Sequence, residues 1–391
     1  MSTTIAPPHL HQKASWAGVV SLSLGVFAFV MAEFLPASLL PRIAADLGVS
    51  EGTAGQTVTV TAIGAGLAGL LLPIALPRLD RRHVMLGLTV LAVVANLLVA
   101  VAPNLVVLLA ARLLLGIGLG GFWALAIAIA AQLVPGDHIG RAVTVINSGV
   151  AIATIGAVPL GTWLGELWGW RAVFVLAAGA AVLAVSFQAV TLPRVTPQST
   201  GGLRALGTTL RSGVLVLGLI AILLVAAGQF TGFTYIRPAA EAVSGIDAGG
   251  LAVLLLVYGI ANMAGTALGG FLADRSLRVA SVFFPAILGL GMLAMITTGS
   301  TTAGLFVAAA LWGFGFGGFP TTNQTWGART EPERLEQVGG LIITVLQIAI
   351  ALGAVGGGLL VDGVSASAPL LAGGIAAIAG GVLLANAYRR A

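Results

Sequence analysis

Residues 16–40 are apolar almost without interruption, and eleven more such stretches follow. They fall at about 53–76, 84–102, 105–134, 141–165, 171–192, 213–236, 249–271, 279–299, 302–326, 337–361 and 368–388. About 20 apolar residues cross the hydrocarbon core of a bilayer as a helix. There every backbone N–H and C=O must be satisfied within the protein. The pattern therefore predicts an all-α membrane protein with twelve transmembrane helices. Charge content points the same way: 8% of the chain is Asp, Glu, Lys or Arg, against about 25% in soluble domains. The 55 glycines suit helices that pack closely without water to drive them together.

The longest polar interruption, residues 193–212, is rich in Pro, Gly, Ser and Thr and reads as a linker. It divides the chain into six-span halves, 1–192 and 213–391. Residues 1–15 are polar and the first apolar run is too long for a signal peptide, so no cleaved leader is expected. An even number of spans puts both termini on one side. With the termini and even-numbered loops together, that side collects Lys13, Arg78, Arg81, Arg82, Arg141, Arg194, Arg204, Arg211, Arg275, Arg278, Arg329, Arg334, Arg389 and Arg390. The other side holds Arg42, Arg171 and Arg237. Basic loops stay in the cytoplasm, so both termini are expected there. Spread over short loops, this positive charge reports topology, and no nucleic-acid partner is expected.

The halves also repeat. Gly116-Ile117-Gly118-Leu119-Gly120-Gly121-Phe122 in span four matches Gly313-Phe314-Gly315-Phe316-Gly317-Gly318-Phe319 in span ten, 197 positions later. The same offset pairs Pro41 with Pro238, Gly48 with Gly245, Gly156 with Gly353 and Gly161 with Gly358. Two parallel six-span repeats imply a pseudo-two-fold axis along the membrane normal, with a site between the halves near the midplane.

Two charges stand inside spans. Glu33 lies about seven residues below the outer end of span one and Arg112 about eight below that of span four; at roughly 1.5 Å per residue they share a depth. A charge placed there costs about 2.5–3.5 kcal/mol even on insertion scales. Burial and an opposite charge act against each other on a carboxylate's proton affinity, so Glu33 next to Arg112 can take up or release a proton as geometry changes. Competing readings are an acid that reaches interfacial water and a static structural pair. Trp123, Asn147, Gln229, Tyr235, Asn323, Gln324 and Gln347 also fall at membrane depth. Amides read hydrogen-bonding edges and aromatic faces stack rings, which makes these the candidate substrate contacts. The alternative for each amide is a helix–helix hydrogen bond.

Nothing in the chain suggests an enzyme. Zero cysteines exclude disulfides and thiolate metal sites. His9, His11, His83 and His138 lie in tails and loops without a carboxylate cluster, and no phosphate-binding loop is present. No cofactor or metal is expected.

At this point the motifs resemble those of the major facilitator superfamily. Gly270-Phe271-Leu272-Ala273-Asp274-Arg275-Ser276-Leu277-Arg278 is similar to its cytoplasmic loop signature, and Leu79-Asp80-Arg81-Arg82-His83 is a shortened version lacking the leading glycine. The resemblance implies that Asp80, Arg81, Arg82, Asp274, Arg275 and Arg278 latch the halves in one conformation, the plainer reading being charges that set topology. Leu108, Arg112, Gly116 and Gly118 resemble the fourth-span signature of the drug–proton antiporter branch, with Leu115 where that pattern has Gln. Gly156, Pro159 and Gly161 resemble the antiporter signature of span five and imply a hinge there, although Val158 replaces a glycine.

The stretches 33–40, 120–124, 165–171 and 228–238 are similar to the bacterial purine ribonucleoside efflux proteins, whereas Pro320-Thr321-Thr322-Asn323-Gln324 departs from them. The resemblance implies a major facilitator fold in the bacterial inner membrane, monomeric. It also implies that protons drive export of a small molecule, a purine ribonucleoside or an analogue. A broad drug or sugar exporter is the alternative in the same class, and a non-transporting receptor on a transporter scaffold the one outside it.

Overall fold

A computed structural model describes residues 14–49, 51–197, 207, 210–246 and 248–389. Most of the proposed linker, together with Lys13, Arg204 and Arg390, lies outside the described residues. Within them are twelve helices long and apolar enough to cross a membrane. They form two six-helix bundles, each with its own apolar core: Val19 to Val195 supply most of one, Leu215 to Ala387 the other.

Local chemistry sets where the spans begin and end. Span one, Trp16–Leu47, runs seven residues past its expected end, through Pro36 and Pro41, and stops at Gly48. Asp80 caps span three, Arg81–Ala100, accepting the Arg82 N–H at 2.9 Å. Asn104 caps span four, Leu105–Leu133, by the same device at 3.1 Å. Gly48 and Gly245, paired by the 197-residue offset, both end helices in the left-handed conformation, with φ of 64° and 65°. Only glycine adopts that geometry without steric penalty.

The repeat recurs in the packing. Span two is Glu51–Ala75 and span four crosses it closely: a Cβ on Gly116 would overlap the Thr61 carbonyl, and one on Gly120 that of Ala65. Span eight, Ala248–Arg275, meets span ten, Thr302–Thr330, in the same way, Gly313 against Tyr258 and Gly317 against Asn262. Each of these four pairs maps onto its counterpart by 197 residues.

Span five is not one continuous helix. Ile139–Ile152 gives way to a π-turn at Ala153–Ala157 and then to Val158–Trp168. Pro159 stands two residues beyond the turn and has no N–H to return to it, which is the ordinary cause of such a break. The expected hinge residue Gly156 sits inside the π-turn with open space where a side chain would go, whereas Gly161 lets Leu35 of span one approach closely.

The bundles meet through span two against span eleven, Leu335–Gly363, and through span five against span eight. By alternation, the ends of spans two, four, eight and ten lie on the side of the termini. The described cross-half contacts run from mid-span to that side. Gly69 meets Gly340, the Thr344 hydroxyl donates to the Gly66 carbonyl at 3.0 Å, and Gln347 Nε2 donates to that of Ala62 at 3.4 Å. This closed end is called the floor below.

Candidate functional site

Pro36 explains the placement of Arg112. In an α-helix the carbonyl of Ala32 would accept the N–H of residue 36, which proline lacks. The Arg112 guanidinium, fully buried on span four, takes that orphaned carbonyl at 2.6 Å. It also donates to the backbone carbonyl of Glu33 at 3.1 Å and, from Nε, to that of Thr57 in span two at 3.3 Å. Thr61 completes the junction by donating its hydroxyl to the Arg112 carbonyl at 3.3 Å. Glu33 and Arg112 therefore do share a depth. The guanidinium, however, grips the Glu33 backbone, and among the described residues the half-buried carboxylate forms no ion pair. A fixed positive charge next to a carboxylate with no ionic partner suits a group that changes protonation.

The second bundle builds a neutral cluster at the equivalent junction. Gln229, the counterpart of Ala32, is fully buried in span seven, Gly213–Thr234. Its amide donates to the Tyr258 hydroxyl at 2.8 Å and accepts from Trp312 Nε1 at 2.6 Å. Tyr258, the counterpart of Thr61, stacks edge-on against Trp312 with centroids 5.6 Å apart. The Gln229 amide thus has both its donor and acceptor engaged inside the bundle.

Two devices at the floor tie the halves together, each joining a helix end of one half to the first turn of a helix in the other. Arg81, fully buried, makes a two-pronged ion pair with Glu336 of span eleven and also donates to the Leu76 carbonyl. Asp274 receives the Gly140 N–H at 2.8 Å and the Arg141 N–H at 3.1 Å, and so caps span five from across the interface. A carboxylate is favoured at that helix end by the dipole as well as by the free N–H groups. Arg329 holds Asp274 from its own half at 3.2 Å.

The other latch candidates work elsewhere. Asp80 binds its own helix and the Val195 N–H, Arg82 reaches the Ala189 carbonyl at 2.6 Å, and Arg275 and Arg278 are exposed.

The amides divide similarly. Asn147 donates across the interface to Gln324 Oε1 at 3.1 Å and to the Thr321 hydroxyl at 3.4 Å. Gln347 bonds to span two as described. Asn323 is fully buried, and among the described residues neither its Nδ2 nor its Oδ1 has a partner; such a group is unfavourable by about 1–3 kcal/mol. Tyr235 lies against Gly357 and Gly358 of span eleven, and Trp123 is half-buried against the first core.

Residues 22–354 match the profile of the Major Facilitator Superfamily. The chain belongs to the major facilitator superfamily. Among individual proteins, the "Purine ribonucleoside efflux pump NepI" of Escherichia coli is 37% identical over 362 residues, 93% of this chain and 91% of that protein. The "Transcription regulatory protein OpdE" of Pseudomonas aeruginosa is 38% identical over 359 residues, 90% of this chain and 88% of its own length. Among solved structures, the human organic anion transporter MFSD10 superposes with a TM-score of 0.76 at 17% identity, covering 97% of this chain and all of that one. The proton:xylose symporter XylE gives 0.75 at 15% identity, with 95% of each chain covered. These two likenesses establish the superfamily fold.

Sequence reasoning missed Glu336, Tyr258 and Trp312. Glu336 carried one signal: the offset maps it to Ile139, at the start of the helix Asp274 caps. Tyr258 carries a single signal, its place 197 residues after Thr61.

Proposed function

We propose that this chain is a proton-coupled exporter that works by alternating access, moving an uncharged small molecule of the purine ribonucleoside class out of a bacterial cell. The termini lie in the cytoplasm, so the closed floor faces inward and the described state is the one from which solute leaves. The halves, 1–192 and 213–391, rock as bodies joined by the 193–212 linker, with the hinge of span five at their junction, and the monomer is the working unit. The observation that carries the proposal is Arg112, buried and fixed to the backbone at Glu33, an acid well inside span one rather than at a span end. Glu33 takes a proton from outside and gives it up inside, and the neighbouring guanidinium makes its charge state sensitive to the packing of spans one and four. Likeness to NepI supports the substrate class.

The test is Glu33→Gln in proteoliposomes, a change that leaves volume and most hydrogen bonding intact. Proton-driven adenosine transport should vanish while adenosine exchange without a gradient persists. Wild-type rates under a pH gradient would remove Glu33 from the mechanism. A second reading, a membrane receptor on the same scaffold, draws on the 38% identity to OpdE. Counterflow separates the two, since a receptor binds labelled adenosine but does not accumulate it against unlabelled adenosine.

A further inference from the structure

In the second half Arg329, near the end of span ten, holds Asp274. The residue 197 positions earlier is Gln132, which has no charge to offer Asp80. Both Gln132 and Asp80 instead hold the chain that leaves span six, Trp170–Thr191. The Gln132 amide donates to the Thr196 carbonyl at 3.1 Å, and the Asp80 carboxylate accepts the Val195 N–H at 3.1 Å. The Arg81 N–H, which has no acceptor within its own helix, donates to the Val195 carbonyl at 2.9 Å. Both backbone groups of Val195 are therefore bound by adjacent residues at the start of span three. Leu192 and Val195 are buried in the first core, whereas Pro193, Arg194 and Thr196 are exposed.

Two links tie this segment to the closed floor. Arg81, whose N–H the Val195 carbonyl accepts, is the residue whose guanidinium pairs with Glu336. Leu335, the residue before Glu336, is buried in the same apolar cluster as Leu192 and Val195. Opening the floor draws Leu335 and Glu336 away together. The cluster around Val195 then loses a member, and water reaches Arg81.

We infer that residues 193–196 form a strap that docks on the first half when the floor closes and lifts off when it opens. The inference goes beyond the exporter reading, from which it needs only the open state of the floor. Four residues span about 13–14 Å when fully extended. Stowed along the first half, that length keeps the halves on a short tether; released, it gives the second half room to swing. Because strap and floor share Arg81, the coupling is reciprocal: what loosens the strap opens the floor, and what opens the floor loosens the strap.

The chain contains no cysteine, so single introduced thiols report each side of this coupling. Maleimide labelling of Val195→Cys in purified protein should run at least tenfold slower than that of Thr196→Cys, its exposed neighbour. Adding Glu336→Gln should speed Val195→Cys labelling at least fivefold and leave Thr196→Cys unchanged. In the reverse direction Leu335→Cys reports the floor. Adding Val195→Asp, which sets a second carboxylate beside Asp80, should speed its labelling at least fivefold.

A Val195→Cys thiol that labels as fast as Thr196→Cys overturns the inference, because no strap is then docked. So does a Val195→Cys rate indifferent to Glu336→Gln, or a Leu335→Cys rate indifferent to Val195→Asp. Adenosine transport in proteoliposomes is read separately. If the wild type couples it to protons while the labelling rates stay equal, the strap is lost and the exporter reading stands. If the wild type moves no adenosine while the rates respond as expected, the exporter reading is lost and the strap stands.

Discussion

Glu336→Gln offers the most direct test of how the floor is held. The Arg81–Glu336 pair is fully buried on both sides and joins the halves in the closed state. Removing one partner of a buried pair destabilises by about 3–5 kcal/mol, because the remaining charge is left uncompensated. The lower end applies here: Arg81 keeps its bonds to the Leu76 and Leu79 carbonyls, and glutamine retains one acceptor. The open state, where water reaches Arg81, is spared that penalty. About 3 kcal/mol, at 1.36 kcal/mol per decade, moves the closed-to-open ratio by roughly 150-fold. If the parent floor is closed about 100:1, that shift leaves it close to evenly divided. The assay is the rate of disulfide formation in G66C/Q347C, placed in this cysteine-free chain where a Cβ on Gly66 would stand 3.8 Å from that of Gln347, about the mean separation in disulfides; the rate follows the closed fraction. Glu336→Gln should slow it by about half or more, and adding Arg81→Gln, which removes the stranded cation, should restore part of the loss. Identical rates in the parent and Glu336→Gln would refute the claim that this pair holds the floor.

Two further outcomes follow from the packing and the surface charges. Gly317→Ala sets a Cβ against the Asn262 carbonyl, which is backbone and cannot swing aside, so a loss of about 1–3 kcal/mol is expected. Gly156→Ala meets open space, and its melting temperature in detergent should stay within a degree or two of wild type; equal effects from the two substitutions would contradict the crossing described here. At the opposite end of the molecule, the hydrogen bond from Arg171 holds the Asp46 carboxyl below its ordinary value. A group lowered on folding adds stability above its unfolded pKa, near 3.9, and loses it as pH falls through the folded value. The melting difference between wild type and Asp46→Asn should therefore be small and constant at neutral pH, and vanish on acidification below about pH 4. A difference that grows with acid would contradict this sign.

Much of the scaffold could be read without coordinates. Span number follows from run length, and the parallel repeat follows from a shared offset that the structure reproduces in four glycine contacts. The caps at Asp80 and Asn104, the terminating glycines Gly48 and Gly245, and the break before Pro159 are all consequences of neighbouring residues. The common depth of Glu33 and Arg112 could be counted along two helices.

Partnership was another matter. Gln229 and Asn147 looked alike in the sequence, yet one amide is enclosed within a bundle and the other spans the interface. Asp80 and Asp274 belong to equivalent sequence motifs, but of the two Asp274 crosses to the other half. Arg81 finds an acid 255 positions away. Hydrophobic length, helix ends and repeats depend on residues within a few turns, so sequence alone determines them. The partner of a buried polar group depends on which distant helix is brought against it, and on whether the floor is open or shut. That choice belongs to the packed bundle, where an unpaired charge or amide is unfavourable enough to select one arrangement over another.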